Sequence, residues 1–373
     1  MGEGGSKVRV AVVGLGFGGE FVPIYKAFRK SECVAVCRRN TQKLNEFADS
    51  LGIEKRYTDY DELLKDGDID AVHITTDLLG HKDFVVKALK AGKHVASTVP
   101  MGMTVDECRE IVELEKETGK VYMLMETSVY TREFLYFKKL YDAGEIGRLQ
   151  FLRGSHQQNM GLPGWPDYWY GMPPMHYPTH AIAPLSEILH KPIKTVRCIG
   201  SGRIREEYAK RYGSPFAAES VQLTFADSDV CGEVTRTLFD TIRQYRESFD
   251  FYGSKKSFEW EQCVGEGPVV YSGYEDAEHV TVPDTDDMLP EEIRKFTLKE
   301  QIIDENHVSF IQGSGHGGSH PHLVKEFVEA ILEGRRAHVD SVVAANWNVA
   351  GILAHESAMK GGEIIEMPGF TQF

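Results

Sequence analysis

Residues 8–19 read VRVAVVGLGFGG, and this stretch decides the fold of the first part of the chain. A short valine-rich run leads directly into the spacing Gly-x-Gly-x-x-Gly, and helical character follows it. In such a strand–turn–helix unit Gly14 permits a tight turn, Gly16 lets the backbone approach a pyrophosphate, and Gly19 lets the helix pack closely on the strand. The helix N-terminus then presents unpaired N–H groups to phosphate. The stretch therefore predicts a dinucleotide site formed by Gly14, Gly16, Phe17, Gly18 and Gly19.

Strand-like and helix-like stretches alternate from residue 8 to about residue 129. Apolar strands that alternate with amphipathic helices are typical of a parallel, doubly wound sheet. One of these helices begins with a capping box in which Thr104 is the N-cap and Glu107 is the third helical residue. Beyond residue 130 the strands are longer and are separated by turn residues, which is typical of a mostly antiparallel sheet in an α+β domain.

These patterns predict an α/β protein with two domains. An N-terminal Rossmann domain, with a doubly wound parallel sheet, covers residues 1–129. A C-terminal α+β domain with a large, mostly antiparallel sheet covers residues 130–373 and is expected to bind the substrate. By analogy with other proteins that have a sheet-forming second domain, we expect a homo-oligomer, a dimer or a tetramer. The acidic segment 284–292 is expected to be a solvated loop.

Composition narrows the choice of partners and compartment. The chain has 373 residues and a formal net charge of −14, which disfavours nucleic acid and anionic membranes as partners. No apolar run approaches the ~18 residues that a membrane span requires. The first residues do not form a signal peptide, and the six cysteines contain no Cys-x-x-Cys pair and are predicted to be reduced. We therefore expect a cytoplasmic protein.

The residues that follow the second strand bear on the choice of dinucleotide. NAD-binding folds often have an acidic residue there, about 20 residues beyond the glycines, which binds the ribose 2′-hydroxyl. This chain has Arg38 and Arg39 instead. An arginine can pair with the 2′-phosphate of NADP or stack on adenine, so the predicted cofactor is NAD or NADP. After the next predicted strand, Thr75, Thr76 and His81 are expected to contact the cofactor, because ligands bind at the carboxyl edge of open α/β sheets.

Several further motifs resemble those of one known family. They are TTDLLGH at 75–81, AGKHV at 91–95, DAGEIG at 142–147, DFYG at 250–253 and a late helix that contains Trp347. Together with GLGFGG they resemble the Gfo/Idh/MocA family, which comprises glucose–fructose oxidoreductase, inositol dehydrogenase and their relatives. The resemblance spans essentially the whole chain. It implies a Rossmann domain, a larger α/β domain whose sheet forms a substrate cleft, and hydride transfer to or from a sugar or polyol carbon.

The chain departs from that family at one position that matters for mechanism. The family's usual Glu-Lys-Pro is here Thr98-Val99-Pro100. The family's lysine helps to polarise the reacting oxygen and to position the substrate near the nicotinamide, and Val99 can do neither. The departure therefore argues against the usual proton relay of alcohol oxidation. Thr98 and Pro100 are still assigned to the predicted cofactor site.

A second set of matches resembles the NAD-dependent glycosidases that are built on this fold. The matching stretches are VP at 99–100, ME at 125–126, HYPTH at 176–180 and GHGG at 315–318. The lysine is likewise absent from that subgroup. The resemblance implies that Glu126, Tyr177 and His180 line the sugar site, and we assign Glu126 to the cofactor as well. The family's base, a tyrosine, has no clean counterpart here, and His156 is the nearest candidate.

The residue types also indicate a carbohydrate site in the same region. Between residues 154 and 180, three histidines are interleaved with aromatic side chains, which suit the C–H faces of sugars. Histidine can also move a proton near neutral pH. The residues assigned to catalysis are His180, Tyr177 and His156, and those assigned to substrate are Trp165, Trp169, His176 and His316. The loop around His316 either reaches over the cleft or is a plain glycine loop. No metal site is predicted, because the spacing of the histidines matches no ligand pattern.

Three functions are compatible with these features. The first is an NAD(P)-dependent oxidoreductase that transfers a hydride between nicotinamide and a hydroxyl-bearing carbon of a sugar, glycoside or polyol. The second is an NAD-dependent glycosidase, which oxidises the sugar transiently, eliminates the glycosidic group, adds water and returns the hydride. The third is a non-catalytic dinucleotide sensor. We favour the first, because it covers most of the family that the sequence resembles.

Overall fold

The N-terminal part of the chain forms a parallel sheet. The computed structural model describes residues 7–243, 245–298 and 315–370. The strands of the first sheet are β1 (Val8–Val13), β2 (Ser31–Cys37), β3 (Lys55–Tyr57), β4 (Ala71–Ile74), β5 (His94–Ser97) and β6 (Tyr122–Leu124). Every pairing is parallel, and the order is β3-β2-β1-β4-β5-β6. This is the strand order of a Rossmann fold, so the predicted fold of this part is confirmed.

Helices cover both faces of this sheet. They are α1 (Val22–Ala27), α2 (Thr41–Leu51), α3 (Tyr60–Leu64), α4 (His81–Lys90) and α5 (Val105–Thr118). Side chains on β1 alternate between the two faces: Val10 and Val12 pack in the core that contains α1 and α2, whereas Ala11 and Val13 pack in the core that contains α3 to α5. A strand buried on both sides has to be apolar throughout, which explains the valine-rich run.

The start of α1 and the capping of α5 both differ from the prediction. Instead of one helix, a 3₁₀ turn (Phe17–Glu20) follows the glycines, and α1 begins only at Val22. Pro23 lies in the first turn of α1, where its missing N–H costs no hydrogen bond. At α5 the Thr104 Oγ1 accepts from the Glu107 N–H as predicted, but the Glu107 carboxylate accepts from Met103, one residue before the cap. The predicted capping box is therefore only half formed.

The second sheet has nine strands and is mixed. Its strands are β7 (Leu149–Gln157), β8 (Ile193–Ser201), β9 (Ala218–Phe225), β10 (Cys231–Thr237), β11 (Arg246–Gly253), β12 (Ser257–Glu259), β13 (Val269–Tyr271), β14 (Ala277–His279) and β15 (Ile365–Glu366). The order is β14-β13-β12-β11-β7-β10-β9-β8-β15, and only β7 and β10 pair in parallel. The prediction of a large, mostly antiparallel sheet is confirmed.

The helices of the second part cover one face of this sheet and also return to the first sheet. They are α6 (Arg132–Asp142), α7 (Thr179–Leu189), α8 (Glu206–Tyr212), α9 (Glu291–Arg294), α10 (His320–Glu333) and α11 (Ser341–Met359). Sequence reasoning missed α7, which is buried over almost its whole length and contains Pro184. The polar residues of this helix are buried like its apolar ones, so no polar face marks it in the sequence, and an internal proline argues against a helix.

The acidic segment 284–292 is not a plain solvated loop, so that prediction is wrong. It contains a 3₁₀ turn (Asp286–Met288), and Leu289 is buried in the core that also contains Val8 and residues of α10. Asp284 lies 3.3 Å from the buried guanidinium of Arg132. In the part of the chain that the structure describes, no helix combines the length and apolarity needed to cross a membrane.

Candidate active site

The carboxyl ends of the first sheet's strands open into a cleft that is closed on its other side by the second part of the chain. The cleft has a volume of about 1060 Å³. The predicted site residues on its wall are Gly14, Gly16, Phe17, Arg38, Arg39, Thr75, Thr76, His81, Thr98, Trp165, Trp169, Tyr177, His180 and His316. The predicted residues that lie off its wall are Gly18, Gly19, Pro100, Glu126, His156 and His176.

The glycine turn leaves its backbone exposed where it faces the cleft. Gly14 has φ +93°, and a Cβ there would lie 2.6 Å from the carbonyl oxygen of Thr75. A Cβ on Gly16 would meet no heavy atom within 4 Å. The close packing on β1 is made by Gly18, whose Cβ would lie 2.2 Å from the Thr75 Oγ1, whereas Gly19 packs on the ring of Phe47 in α2. Gly18 and Gly19 therefore shape the turn from behind, and the packing role predicted for Gly19 belongs to Gly18.

Two arginines stand at the end of β2, where many NAD-binding folds have a carboxylate. Arg38 and Arg39 line the cleft, and in the described part of the chain neither forms a salt bridge. Two acids on the same edge are already engaged: Asp59 caps α3 by accepting from the N–H of Asp61, and Asp61 lies 2.8 Å from Lys87 Nζ. The edge therefore has positive charge available for a ligand.

His81 lies at the cleft, but its ring is held by the backbone. Nδ1 lies 2.9 Å from the carbonyl oxygen of Pro100, and Nε2 lies 3.1 Å from that of Thr76. Burial lowers the pKa of His81, so the ring is neutral and donates to one carbonyl at a time. Val99-Pro100 is a cis peptide, and the His81 contact ties this turn to the end of β4.

A buried ion pair lies behind the opposite wall. Glu126 follows β6, and its Oε1 accepts from the Ser128 N–H at 2.9 Å. His180 lies in the first turn of α7, and its Nδ1 is 2.6 Å from the same Oε1. Both side chains are almost fully buried, at 0% and 3% exposure. Two sequence segments 54 residues apart thus meet at one hydrogen bond.

The two partners shift each other's protonation. Burial acts to lower the pKa of the His180 imidazole, but the charges of Glu126 and Glu247 and the hydrogen bond to Glu126 raise it to about 9. Burial acts to raise the pKa of Glu126, and the charge of His180 and its hydrogen bond hold it below the ordinary value. In this structure His180 is therefore protonated and Glu126 ionised at neutral pH.

Tyr177 is positioned by a buried arginine that sequence reasoning missed. The Tyr177 hydroxyl is 3.4 Å from the Nε2 of His180. Arg236 on β10 donates to the Tyr177 carbonyl oxygen at 2.9 Å and to that of His156 at 3.1 Å, and its guanidinium carbon lies 5.4 Å from the centre of the Tyr177 ring. Desolvation lowers the pKa of Arg236 to about 9. Arg236 reaches both Tyr177 and His156 only because β10 pairs with β7.

A second missed acid completes the cluster. Glu247 on β11 is the cross-strand neighbour of His156 on β7, and its Oε1 lies 3.7 Å from the His156 Nε2. Tyr245 donates to the same carboxylate at 2.9 Å and also contacts the ring of His316. Burial, followed by the charge of Arg236, lowers the pKa of His156 well below its ordinary value, so His156 is neutral. Glu247 gave no sequence signal, because its place depends on strand register.

The aromatic residues divide between the cleft and the packed interior. The rings of Trp169 and Tyr177 meet edge to face with centres 5.1 Å apart, and Trp165 contacts Trp169 at 6.3 Å. His176 does not join them: it is turned towards α11, with its ring 5.1 Å from that of His355. The 3₁₀ turn (Pro174–His176) points it away from the cleft, so the predicted substrate contact of His176 is not supported.

Known proteins resemble this chain in sequence and in fold. Residues 8–126 match the oxidoreductase family GFO_IDH_MocA, with its NAD-binding Rossmann fold. The chain is 25% identical to an alpha-N-acetylgalactosaminidase of Shewanella oneidensis over 400 residues, which cover 98% of this chain and 85% of that protein. It is 31% identical to an inositol 2-dehydrogenase of Salmonella typhimurium over 170 residues, which are 44% of this chain and 49% of that protein.

A solved structure shows the same fold over the full length. It is a levoglucosan dehydrogenase in complex with NADH and levoglucosan, which matches with a TM-score of 0.78 and 20% identity and covers 98% of this chain and 100% of that chain. The sheet order, the glycine turn and these matches lead to the same assignment. Residues 8–126 therefore match the NAD-binding Rossmann fold of the GFO_IDH_MocA oxidoreductase family, and the whole chain is similar to proteins built on that fold.

Proposed function

We propose that this protein is a nicotinamide-dependent oxidoreductase that transfers a hydride between the dinucleotide and a hydroxyl-bearing carbon of a sugar, glycoside or polyol. The observation that supports this most directly is that one cleft is lined both by the glycine turn and by Tyr177 and His180. A phosphate-binding turn and a proton-transfer pair thus face the same space. The inositol 2-dehydrogenase and the levoglucosan complex among its relatives support the carbohydrate class.

The glycine turn fits the pyrophosphate of a dinucleotide. The open space beside Gly16 is what a phosphate needs to approach the backbone, and the positive φ of Gly14 creates the turn that presents it. We assign the pyrophosphate to Gly14, Gly16 and Phe17, and the nicotinamide end to the side of the cleft formed by Thr98 and Tyr177. When it is bound, the nicotinamide supplies the hydride chemistry.

The side chains of Tyr177 and His180 are proposed to bind the substrate hydroxyl and to move its proton. Glu126 holds the Nδ1 side of the His180 ring at 2.6 Å, so Nε2 faces Tyr177 and the cleft. This orientation lets the proton pass between the substrate oxygen and Nε2, directly or through the tyrosine hydroxyl. His156 lies behind Tyr177 and off the wall, so its effect on the reaction passes through these two residues.

The arginines at the end of β2 bear on which dinucleotide binds. Arg38 and Arg39 line the cleft, and in the described part of the chain they have no acidic partner. A guanidinium pairs well with a phosphate through two parallel hydrogen bonds. We therefore propose that the cleft accepts NADP as well as NAD.

An NAD-dependent glycosidase is the second candidate. Its support is the similarity to the alpha-N-acetylgalactosaminidase over 98% of this chain, together with Val99 where the dehydrogenases of the family have a lysine. In such an enzyme the hydride would be taken from the sugar and returned within one turnover. The same residues, Tyr177 and His180, would then serve both half-reactions.

We also propose a homo-oligomer in the cytoplasm. The helices lie on one face of the nine-stranded sheet, and one apolar side chain on β8, Ile199, is 51% exposed, which is compatible with self-association. The cysteines are free thiols, four of them buried, which supports a reducing compartment. Size-exclusion chromatography with light scattering tests the oligomer.

One assay distinguishes the two enzymatic candidates. The protein is incubated with NAD or NADP and a panel of polyols, free sugars and aryl glycosides, while absorbance follows both reduced cofactor and released aglycone. An oxidoreductase accumulates reduced cofactor in step with the oxidised sugar. A glycosidase releases aglycone without net reduction and exchanges the C2 proton with deuterated solvent. Dinucleotide binding without either activity across the panel would contradict both proposals.

A further inference from the structure

Three side chains from distant parts of the chain present ligand atoms to one point of the cleft. They are His180 on α7, Glu247 on β11 and His316 in the turn before α10, and their ligand atoms all lie within 4.8 Å of one another. The His180 Nε2 is 3.9 Å from the Glu247 Oε1. In a tetrahedral zinc site the ligand atoms are roughly 3.4 Å apart, so a contraction of about 1 Å would close these three onto an ion.

The spacing of the imidazole rings is compatible with a shared metal ion. Nitrogens at about 2.0–2.1 Å from a tetrahedral ion put neighbouring ring centres roughly 5 Å apart. The ring centres of His156 and His180 are 5.2 Å apart, and those of His180 and His316 are 5.5 Å apart. His156 also directs its Nε2 towards Glu247, at 3.7 Å from the same Oε1 that faces His180.

The surroundings of these side chains match the second layer of a metal site. A metal-bound histidine almost always donates its other ring N–H to a carboxylate or carbonyl, which fixes the tautomer and the ring. His180 does so through Nδ1, at 2.6 Å from Glu126, and its Nε2 faces the Tyr177 hydroxyl at 3.4 Å and the Glu247 carboxylate at 3.9 Å. The hydroxyl of Tyr245 steadies the Glu247 carboxylate at 2.9 Å.

An independent sign of a missing ligand is the buried ring of His156. It is 0% exposed, yet among the described residues neither of its ring nitrogens has a hydrogen-bond partner. Buried polar atoms that lack partners in a native protein call for an explanation, and a bound ion or an ordered water is one of the common explanations. Two buried carboxylates beside three imidazoles also provide the charge and the donor types that a dication prefers.

We infer that His180, Glu247 and His316, with His156 beside them, form a binding site for one divalent cation of the zinc class on the wall of the cleft. Sequence spacing argued against a metal site because these ligands lie on separate elements, which only the fold brings together. His180 and His316 line the cleft, so an ion has a route into the site. When its Nε2 binds the ion, His180 no longer moves the substrate proton, and the hydroxyl of Tyr177, 3.4 Å from that nitrogen, is left to do so.

One consequence rests on the proposed function. An ion at this point lies beside the proposed substrate site and supplies the positive charge that Val99 lacks at the position of the family's lysine. It would polarise the reacting hydroxyl as a Lewis acid. Metal binding itself does not depend on that function and can be measured without substrate.

The test uses untagged full-length protein that has been stripped with a chelator, dialysed and titrated with CoCl₂. Bound Co²⁺ with nitrogen and oxygen ligands shows visible d–d absorption, and ICP-MS after incubation with ZnCl₂ gives the stoichiometry. We expect one equivalent per chain. Glu247→Gln abolishes the absorption at the same concentration, and Glu126→Gln weakens binding by about 10–100-fold, as the loss of a carboxylate behind a histidine ligand does.

The matched control is His176→Asn, which removes a nearby buried imidazole that faces His355 instead of the cleft. We expect it to bind Co²⁺ like the wild type. Thermal unfolding and dinucleotide binding establish that each variant is folded. Absence of Co²⁺ uptake by the wild type, equal uptake by folded Glu247→Gln, or loss of uptake in folded His176→Asn would each overturn the site. Turnover by metal-free protein would refute only the Lewis-acid role, and Co²⁺ binding without any turnover would refute only the proposed function.

Discussion

Substituting Gly16 by alanine separates binding from folding, because the structure gives this glycine no packing role. Gly16 has a negative φ of −72°, and a Cβ there would meet no heavy atom within 4 Å. The ψ of Gly16 is −92°, outside the main α and β regions, so alanine should cost roughly 1–3 kcal/mol of backbone strain and leave the protein folded. The methyl group instead enters the space in which the account places the pyrophosphate.

The expected loss of affinity follows from the contacts that the methyl group would displace. A hydrogen bond to a charged group contributes about 1.5–3 kcal/mol. Losing one such bond to a phosphate weakens dinucleotide binding by roughly 10–100-fold, since 1.4 kcal/mol corresponds to a factor of ten. Quenching of tryptophan fluorescence by NADH measures the dissociation constant, and thermal unfolding measures stability on the same sample.

Two other glycines serve as matched comparisons. Gly67 lies in an open loop, and a Cβ there would meet no heavy atom within 4 Å. Gly67→Ala should therefore change neither the affinity for NADH nor the stability. Gly18→Ala would place a Cβ 2.2 Å from the Thr75 Oγ1, so it should lower the melting temperature through overpacking of about 1–3 kcal/mol. A stable Gly16→Ala protein that binds NADH with wild-type affinity would refute the placement of the pyrophosphate.

Three further predictions concern charge and proton transfer. Arg39→Ala should weaken the binding of NADP by about 10–100-fold and the binding of NAD far less, because only NADP has the 2′-phosphate. Equilibrium binding of both cofactors measures the two affinities, and an equal loss of affinity for both would contradict the prediction. His180→Asn should reduce turnover by roughly 10²–10⁴-fold while dinucleotide binding persists, and normal turnover would refute its role. For the pair of Glu187 and His338, 2.9 Å apart, the pKa of His338 is raised: burial lowers it, but the hydrogen bond to Glu187 outweighs this. The pair's stabilisation is complete below the ordinary histidine pKa of about 6.5 and is lost as pH rises through the folded value. The pKa of Glu187 is lowered, since the hydrogen bond to His338 outweighs burial, so stabilisation is also lost as pH falls below about 4.3 through that lower value. In urea unfolding, the difference in midpoint concentration between the wild type and Glu187→Gln should be smaller at pH 9 than at pH 6. An unchanged difference would contradict this prediction.

Local sequence patterns predicted the first sheet well. The valine-rich run before Gly14 forms β1, and the predicted alternation of strands and helices up to about residue 129 is observed. These patterns depend on neighbours within a few residues, such as a glycine turn or a valine run. The strand β3 has only three residues and is too short to show a period, and α7 was missed because its polar residues are buried together with its apolar ones.

The candidate site could be predicted only in part, because most of its geometry is set by contacts between distant segments. The family resemblance indicated Glu126 and His180, but their hydrogen bond depends on how α7 packs behind β6. Glu247 depends on the register of β11 against β7 and left no local trace. His176 shows the opposite error: it is next to Tyr177 in sequence, yet the turn directs it towards α11.

The central claim is that a dinucleotide lies in the cleft with its nicotinamide beside Tyr177 and His180. A crystal structure of the protein with NADH tests it most directly. We expect the pyrophosphate against Gly14 and Gly16 and the nicotinamide ring within van der Waals contact of the Tyr177 and His180 side chains. A dinucleotide bound elsewhere, or a nicotinamide ring turned away from both side chains into solvent, would contradict it.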